Sequence, residues 1–286
     1  MTIKIGLIGE FQSGKSTLIN CLLEDRIALT GNGISTTKQV IRYSYSSTPS
    51  LFVNQNKTKV QIPISEYSTI ISDEKISYLD VGLPIPFLKQ TELLDTPGFN
   101  ANQRDTDVTK IWLDQMDCAL IVNTKAQLTT ECIDILIEIH KRRIPFIILF
   151  NFNDWKMNPD CWIPNSEANM LARKTIGSQV EQRFQPIKIN NANILSINTA
   201  FFWYSILSNK KQFTLESNNG EKMLMKSVEN FTKIVNPELK SNFVSISNIH
   251  ILKDFLSSNT IAFNNIHVLI QIFNDFGAMR NYISNI

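Results

Sequence analysis

No pair of cysteines in this sequence forms a C-x-x-C. Cys21, Cys118, Cys132 and Cys161 stand far apart, three of them inside apolar or helical runs. Buried thiols in a reducing compartment are therefore expected, and a cytoplasmic location with them. No apolar run approaches the ~20 residues a membrane span needs; the longest, Ile144 to Phe150, suits a buried strand. Charge of one sign is also lacking. A formal net charge of +2 is too small to argue for nucleic acid or an anionic membrane as the partner. There is no internal repeat and no low-complexity tract. A strand expected within three residues of Met1 leaves no room for a signal peptide. With 43% hydrophobic and 19% charged residues, the 286-residue chain can build a packed core, as one large domain or two small ones.

What is present is organised around Gly9-Glu10-Phe11-Gln12-Ser13-Gly14-Lys15-Ser16-Thr17, a G-x-x-x-x-G-K-S phosphate-binding loop. Ahead of it Ile3 to Ile8 has the length and apolarity of a strand. Behind it Thr17 to Leu23 has helical spacing, and strand–loop–helix is the context this motif requires. Glycines let the backbone close on phosphate, and successive N–H groups with a helix N-terminus face the anion. Lys15 is placed for the β- and γ-phosphates and Ser16 for Mg²⁺. The loop from Glu24 to Lys38, with Gly31, Asn32 and Gly33, follows where a nucleotide-sensing switch belongs. Thr36 or Thr37 could give its hydroxyl to Mg²⁺ there.

A second phosphate motif, Asp95-Thr96-Pro97-Gly98, ends the apolar run Thr91 to Leu94. Asp95 at a strand end can hold a Mg²⁺-bound water, and the Gly98 N–H can meet a γ-phosphate. The polar stretch from Asn100 to Thr109 is the natural second switch. Further strands are expected over 40–46, 51–53 with 60–62 as a hairpin, 118–123, 144–150 and 187–197. The segment 76–88, with Pro84 and Pro86, reads as an edge or irregular strand. Helices are expected over 65–75, 129–143 (with Thr130 as cap), 167–182, 222–235, 248–256 and 261–286. The last carries an apolar stripe, Ile266, Leu269, Ile270, Phe273, Phe276 and Met279, suited to packing on the domain or a partner.

After the fifth of these strands comes Asn151-Phe152-Asn153-Asp154. Guanine-reading proteins carry N-K-x-D there, the Asp accepting from N1–H and the exocyclic amine. Asn151 and Asp154 are in place, and Phe152 replaces the Lys, where an aromatic ring could stack on the base. Ser196 and Ile197 stand where a short S-A loop meets the base. The same pattern leaves open a degenerate site with weak base choice.

These segments resemble the GTPase domain of bacterial dynamin-like proteins and their mitofusin relatives, over about residues 1 to 200. GEFQSGKSTLINCLL is similar to that family's phosphate loop and LTGNGISTTKQVIRYSY to its first switch. GLPIPFLKQTELLDTPGFN resembles the approach to D-T-P-G, and NTKAQLTTECIDIL the family's x-x-x-A-x-x-L-T-E-x-E pattern. The resemblance implies an α/β P-loop G domain: a mostly parallel central sheet with one antiparallel edge strand, helices on both faces and extra C-terminal helices. The G domain would span 1–260, with 261–286 packing on it or starting a helical neck. GTP and GDP would be the ligands and Mg²⁺ the cofactor. Glu10, Phe11, Gln12, Ser13, Gly14, Lys15, Ser16 and Thr17 would hold phosphate, with Asp95 and Gly98 sensing its end. Asn151, Asp154, Ser196 and Ile197 would meet the base. Ser16, Thr36, Thr37 and Asp95 would serve the metal. Phe99 follows D-x-x-G, so no glutamine there positions water; the family assembles its hydrolytic site when two G domains meet. Lys15, Thr36 and Gln12 would then be catalytic, Gln12 or Ser13 helping to hold a cation or water. Dynamin-like proteins continue into long helical bundles. The resemblance thus implies either a truncated form or a helical, membrane-associated part on another polypeptide, with peripheral membrane attachment through it. The alternative to a GTPase is a nucleotide-gated switch or scaffold with little hydrolysis, and a third reading is a generic P-loop ATPase.

Overall fold

Near-continuous apolar runs give the central strands two buried faces, and the computed structural model covers both with helices. It describes residues 2–30, 38–55, 58–71, 73, 75–100, 102–152, 154, 156–183, 194–209, 219–234 and 242–257. Thr36, Thr37 and the expected helix over 261–286 lie outside the described residues.

The strands are β1 (Ile3–Gly9), β2 (Val40–Tyr45), β3 (Ser50–Gln55), β4 (Thr58–Ile62), β5 (Tyr78–Leu83), β6 (Thr91–Asp95), β7 (Cys118–Asn123), β8 (Phe146–Phe150) and β9 (Ile194–Ser196). They form one sheet in the order β4-β3-β5-β2-β6-β1-β7-β8-β9. β6, β1, β7, β8 and β9 run parallel. Antiparallel pairing is confined to the β2 side, where β2 meets β6 and β3 meets β4 and β5. The fold is the mostly parallel α/β sheet expected.

The helices are α1 (Lys15–Leu23), α2 (Tyr67–Ile70), α3 (Gln103–Trp112), α4 (Thr130–Lys141), α5 (Glu167–Arg183), α6 (Thr199–Asn209), α7 (Asn219–Ile234), α8 (Phe243–Ile246) and α9 (Ile249–Ser257). Side-chain alternation sorts them. Ile5 and Leu7 of β1, Leu120 and Val122 of β7 and Leu149 of β8 face α1, α6 and α9. Ile8, Ala119, Ile121, Ile148 and Phe150 face α3, α4 and α5. A third cluster, Trp162, Phe201, Phe231 and Phe243, joins α6, α7 and α8, with Phe201 stacked on Phe243 at 4.5 Å. Among the described residues no helix is long and apolar enough to cross a membrane. All four cysteines are buried and free, and burial pushes the Cys118 and Cys132 thiols up to about 12.

Two expectations need correction. β5 is not an edge: it lies between β3 and β2, because it stops at Leu83, ahead of both prolines. Pro86 instead opens a 3₁₀ turn, where its missing N–H costs nothing. Thr129, not Thr130, caps α4, accepting from the Cys132 N–H at 3.3 Å. Most of the stretch 100–109 is helix α3, capped by Asn102 on the Asp105 N–H at 2.9 Å.

Candidate functional site

The loop between β1 and α1 is shaped by residues in left-handed backbone. Gly14 has φ +90°, and a Cβ there would come within 2.9 Å of the Asn151 amide nitrogen. Gln12 has φ +62° and is exposed at the loop's crest. A non-glycine residue in that conformation costs about 1–2 kcal/mol, the kind of strain kept at binding sites. Inside the loop, Lys15 is 8% exposed and its Nζ donates to the carbonyls of Gly9 and Glu10 at 2.9 and 3.1 Å. Burial pushes this ammonium down to about 8, against the opposing pull of Asp95, Asp105 and Glu10. Ser16 and Thr17 are half-buried on the first turn of α1, and Ser13 is buried with its hydroxyl beneath Gly9.

The D-T-P-G segment is docked on this crest. Asp95, 1% exposed, closes β6 opposite Leu7 and belongs to the sheet face that carries α1. Thr96 Oγ1 donates to the Leu7 carbonyl at 2.8 Å. The Phe11 N–H donates to the Phe99 carbonyl at 3.1 Å, and Glu10 and Phe99 form a parallel bridge. A Cβ on Gly98 would lie 2.8 Å from the Phe11 N and Cα, so only glycine permits this approach. Ser16 and Asp95 together offer a hydroxyl and a carboxylate, hard oxygen donors that fit Mg²⁺.

The third part of the site arrives from β8. Asn151 Oδ1 accepts from the Thr199 N–H at 3.1 Å and its hydroxyl at 3.3 Å, while its Nδ2 faces Gly14. This one side chain joins the phosphate loop to the start of α6. Asp154 is exposed, its Oδ1 accepting from the Met157 N–H at 3.3 Å. Phe152 does not stand free as a base platform. It is half-buried, 6.0 Å from Phe150 and packed against two apolar clusters. Ser196 is buried with its hydroxyl on Asn169, and Ile197 is 1% exposed in the core. Both side chains are spent on packing at the strand end beside Asn151.

Sequence reasoning placed Glu10 among the phosphate-holding residues but missed what its carboxylate meets. It accepts from Lys125 Nζ at 3.0 Å, from the Thr129 hydroxyl and from Asn100 Nδ2 at 3.4 Å. The signal was there, since Glu10 and the L-T-T-E run both belong to the quoted motifs, but nothing in one dimension says they meet.

Comparison with known proteins covers the same region. The profile of the Dynamin family matches residues 5–149, just over half of the chain. Dynamin-like protein 2 of Campylobacter jejuni is 30% identical over 140 residues, 41% of this chain and 21% of that protein. A probable transmembrane GTPase, FZO-like and chloroplastic, of Arabidopsis thaliana is 32% identical over 126 residues, 44% of this chain and 12% of its own. The chain thus spans under a third of the curated relatives it matches. Among solved structures, an oligomerised bacterial dynamin pair described as sensing and tethering membranes is similar in fold. Its TM-score is 0.50 at 18% identity, covering 99% of this chain and 44% of that one.

Proposed function

The chain belongs to the dynamin family, and on that premise we propose that it binds GTP and hydrolyses it with Mg²⁺, faster when two G domains meet. The observation that carries the reading is the buried Lys15, held by the Gly9 and Glu10 carbonyls with D-T-P-G docked over it. A lysine poised at the floor of a left-handed glycine loop exchanges carbonyl partners for phosphate oxygens at little reorganisation cost. Ser16 and Asp95 would hold Mg²⁺, which when bound supplies neutralisation of phosphate charge. Gly98 brings a backbone N–H to the crest, and Asn151 fixes the loop's far side while Asp154 reads guanine. Thr36 or Thr37 would join the metal side, and exposed Gln12 would reach across to a second G domain. Residues 1–260 are the proposed G domain; 261–286, outside the described residues, would pack on it or start a helical neck. Membrane attachment, if the full assembly has it, would come through a helical partner.

Phe152 favours a second reading. With a packed aromatic in place of the guanine-motif lysine, the domain would be a nucleotide-gated switch that hydrolyses little. Phosphate release from GTP and from ATP over a protein-concentration series separates the readings. The GTPase reading expects GTP turnover to exceed ATP turnover and specific activity to rise with concentration. Equal turnover removes guanine choice, and a flat concentration profile removes the dimer.

A further inference from the structure

The L-T-T-E segment has no task in the phosphate site so far, yet it touches that site's second residue. Thr129 Oγ1 both caps α4 and donates to Glu10 Oε1. The same Oε1 accepts from Asn100 Nδ2 at 3.4 Å, and the amide also donates to Glu131 Oε2 at 3.3 Å. Asn100 therefore lies between two carboxylates, one from the phosphate loop and one from the first turn of α4. Both bonds are long and exposed, so each is weak alone, and it is their pairing that orients the amide. Lys125 adds an ion pair to Glu10 at 3.0 Å, but at 60% exposure that pair is largely screened. Asn100 has φ +68°, a conformation Asn tolerates better than other side chains. Its two neighbours toward the site are Phe99, fully buried and bridged to Glu10, and Gly98, already at closest approach to Phe11.

We infer that Glu10, Thr129 and Glu131 form a latch that grips Asn100 and so holds Gly98 against the crest of the phosphate loop. Asn100 is then a positioning residue for a terminal phosphate, acting through Gly98. The inference rests on the proposed nucleotide reading and deepens it. Because Gly98 already touches the crest, loosening the latch can only move it outward. A diphosphate that ends short of Gly98 does not register that movement; a triphosphate does.

The test is a titration of the full chain with GDP and with a non-hydrolysable GTP analogue, both with Mg²⁺. Asn100→Gly removes the amide and keeps the left-handed backbone. It is expected to weaken the analogue about three- to ten-fold, the combined value of its two long, exposed hydrogen bonds, while GDP affinity stays within about two-fold. Glu131→Ala removes one of the two bonds and is expected to show a selective loss in the same direction and no larger. Combined with Asn100→Gly it adds nothing, because both act through one contact. Equal losses for both nucleotides, no loss, or additive losses overturn the latch. Should Asn100→Gly fail to fold, the surface variant Glu131→Ala alone decides by the same criterion. A wild-type chain that binds neither nucleotide sinks the nucleotide reading itself, an outcome distinct from selective loss failing in a protein that binds.

Discussion

Lys15 combines full burial with a charge, and the combination makes the site sensitive to pH. Desolvation lowers its ammonium to about 8 from an ordinary value of 10.5. Between those values the unfolded chain keeps the proton and the folded chain releases it. This group therefore destabilises the fold at neutral pH and ceases to do so as pH rises through that window. Phosphate binding has the opposite dependence, since only the protonated form neutralises an anion. Nucleotide affinity is expected to fall as pH rises from 7 to 9, by up to about ten-fold per pH unit once past the lysine's own value. Calorimetric titration of GDP across that range checks it, and a flat profile would show that Lys15 stays charged throughout. Gly98 makes the complementary point about space, because it sets how near D-T-P-G can lie.

At the scale of elements, α6 explains much of what the sequence hid. Its first turn is buried on every side, with Ala200, Phe201, Phe202 and Trp203 in succession. A helix apolar on every side has no 3.6-residue period to detect. It sits between α1 and the Trp162 cluster, so its own N-terminus can meet Asn151. α1, β1, β6, β7 and the order of the phosphate motifs were legible, because each follows from local periodicity or a fixed spacing. The place of β5 in the sheet and the Glu10 latch were not, because prolines just past a strand and contacts 31 to 119 residues apart have no local signature. Besides its apolar face, α7 is tied down by a buried acid. Glu221, 5% exposed, pairs with Arg26 at 2.9 Å and accepts from Trp203 Nε1 at 2.8 Å. Glu221→Ala removes the acceptor of the indole N–H and one partner of the guanidinium, and is expected to cost about 1–3 kcal/mol. Denaturant unfolding measures it; a cost under about 1 kcal/mol would mean α7 is held by its apolar face alone.

For the whole molecule, the three parts of the site arrive from separate strands of one sheet, β1, β6 and β8, whose parallel alignment brings their ends together. That convergence is the usual place for a ligand in a parallel α/β sheet. It is why a loop, an aspartate and an asparagine far apart in sequence can act on one phosphate chain. The α6–α9 layer closes the α1 face through Cys21 Sγ on the Thr199 carbonyl at 3.5 Å and Thr91 on the Leu256 carbonyl at 3.4 Å. The most direct measurement of the central claim is calorimetric titration of the full chain with a non-hydrolysable GTP analogue and Mg²⁺, beside Lys15→Ala. Saturable heat from the wild type and its loss in the variant are the results the account predicts. No heat from the wild type, or equal heat from both, would contradict it.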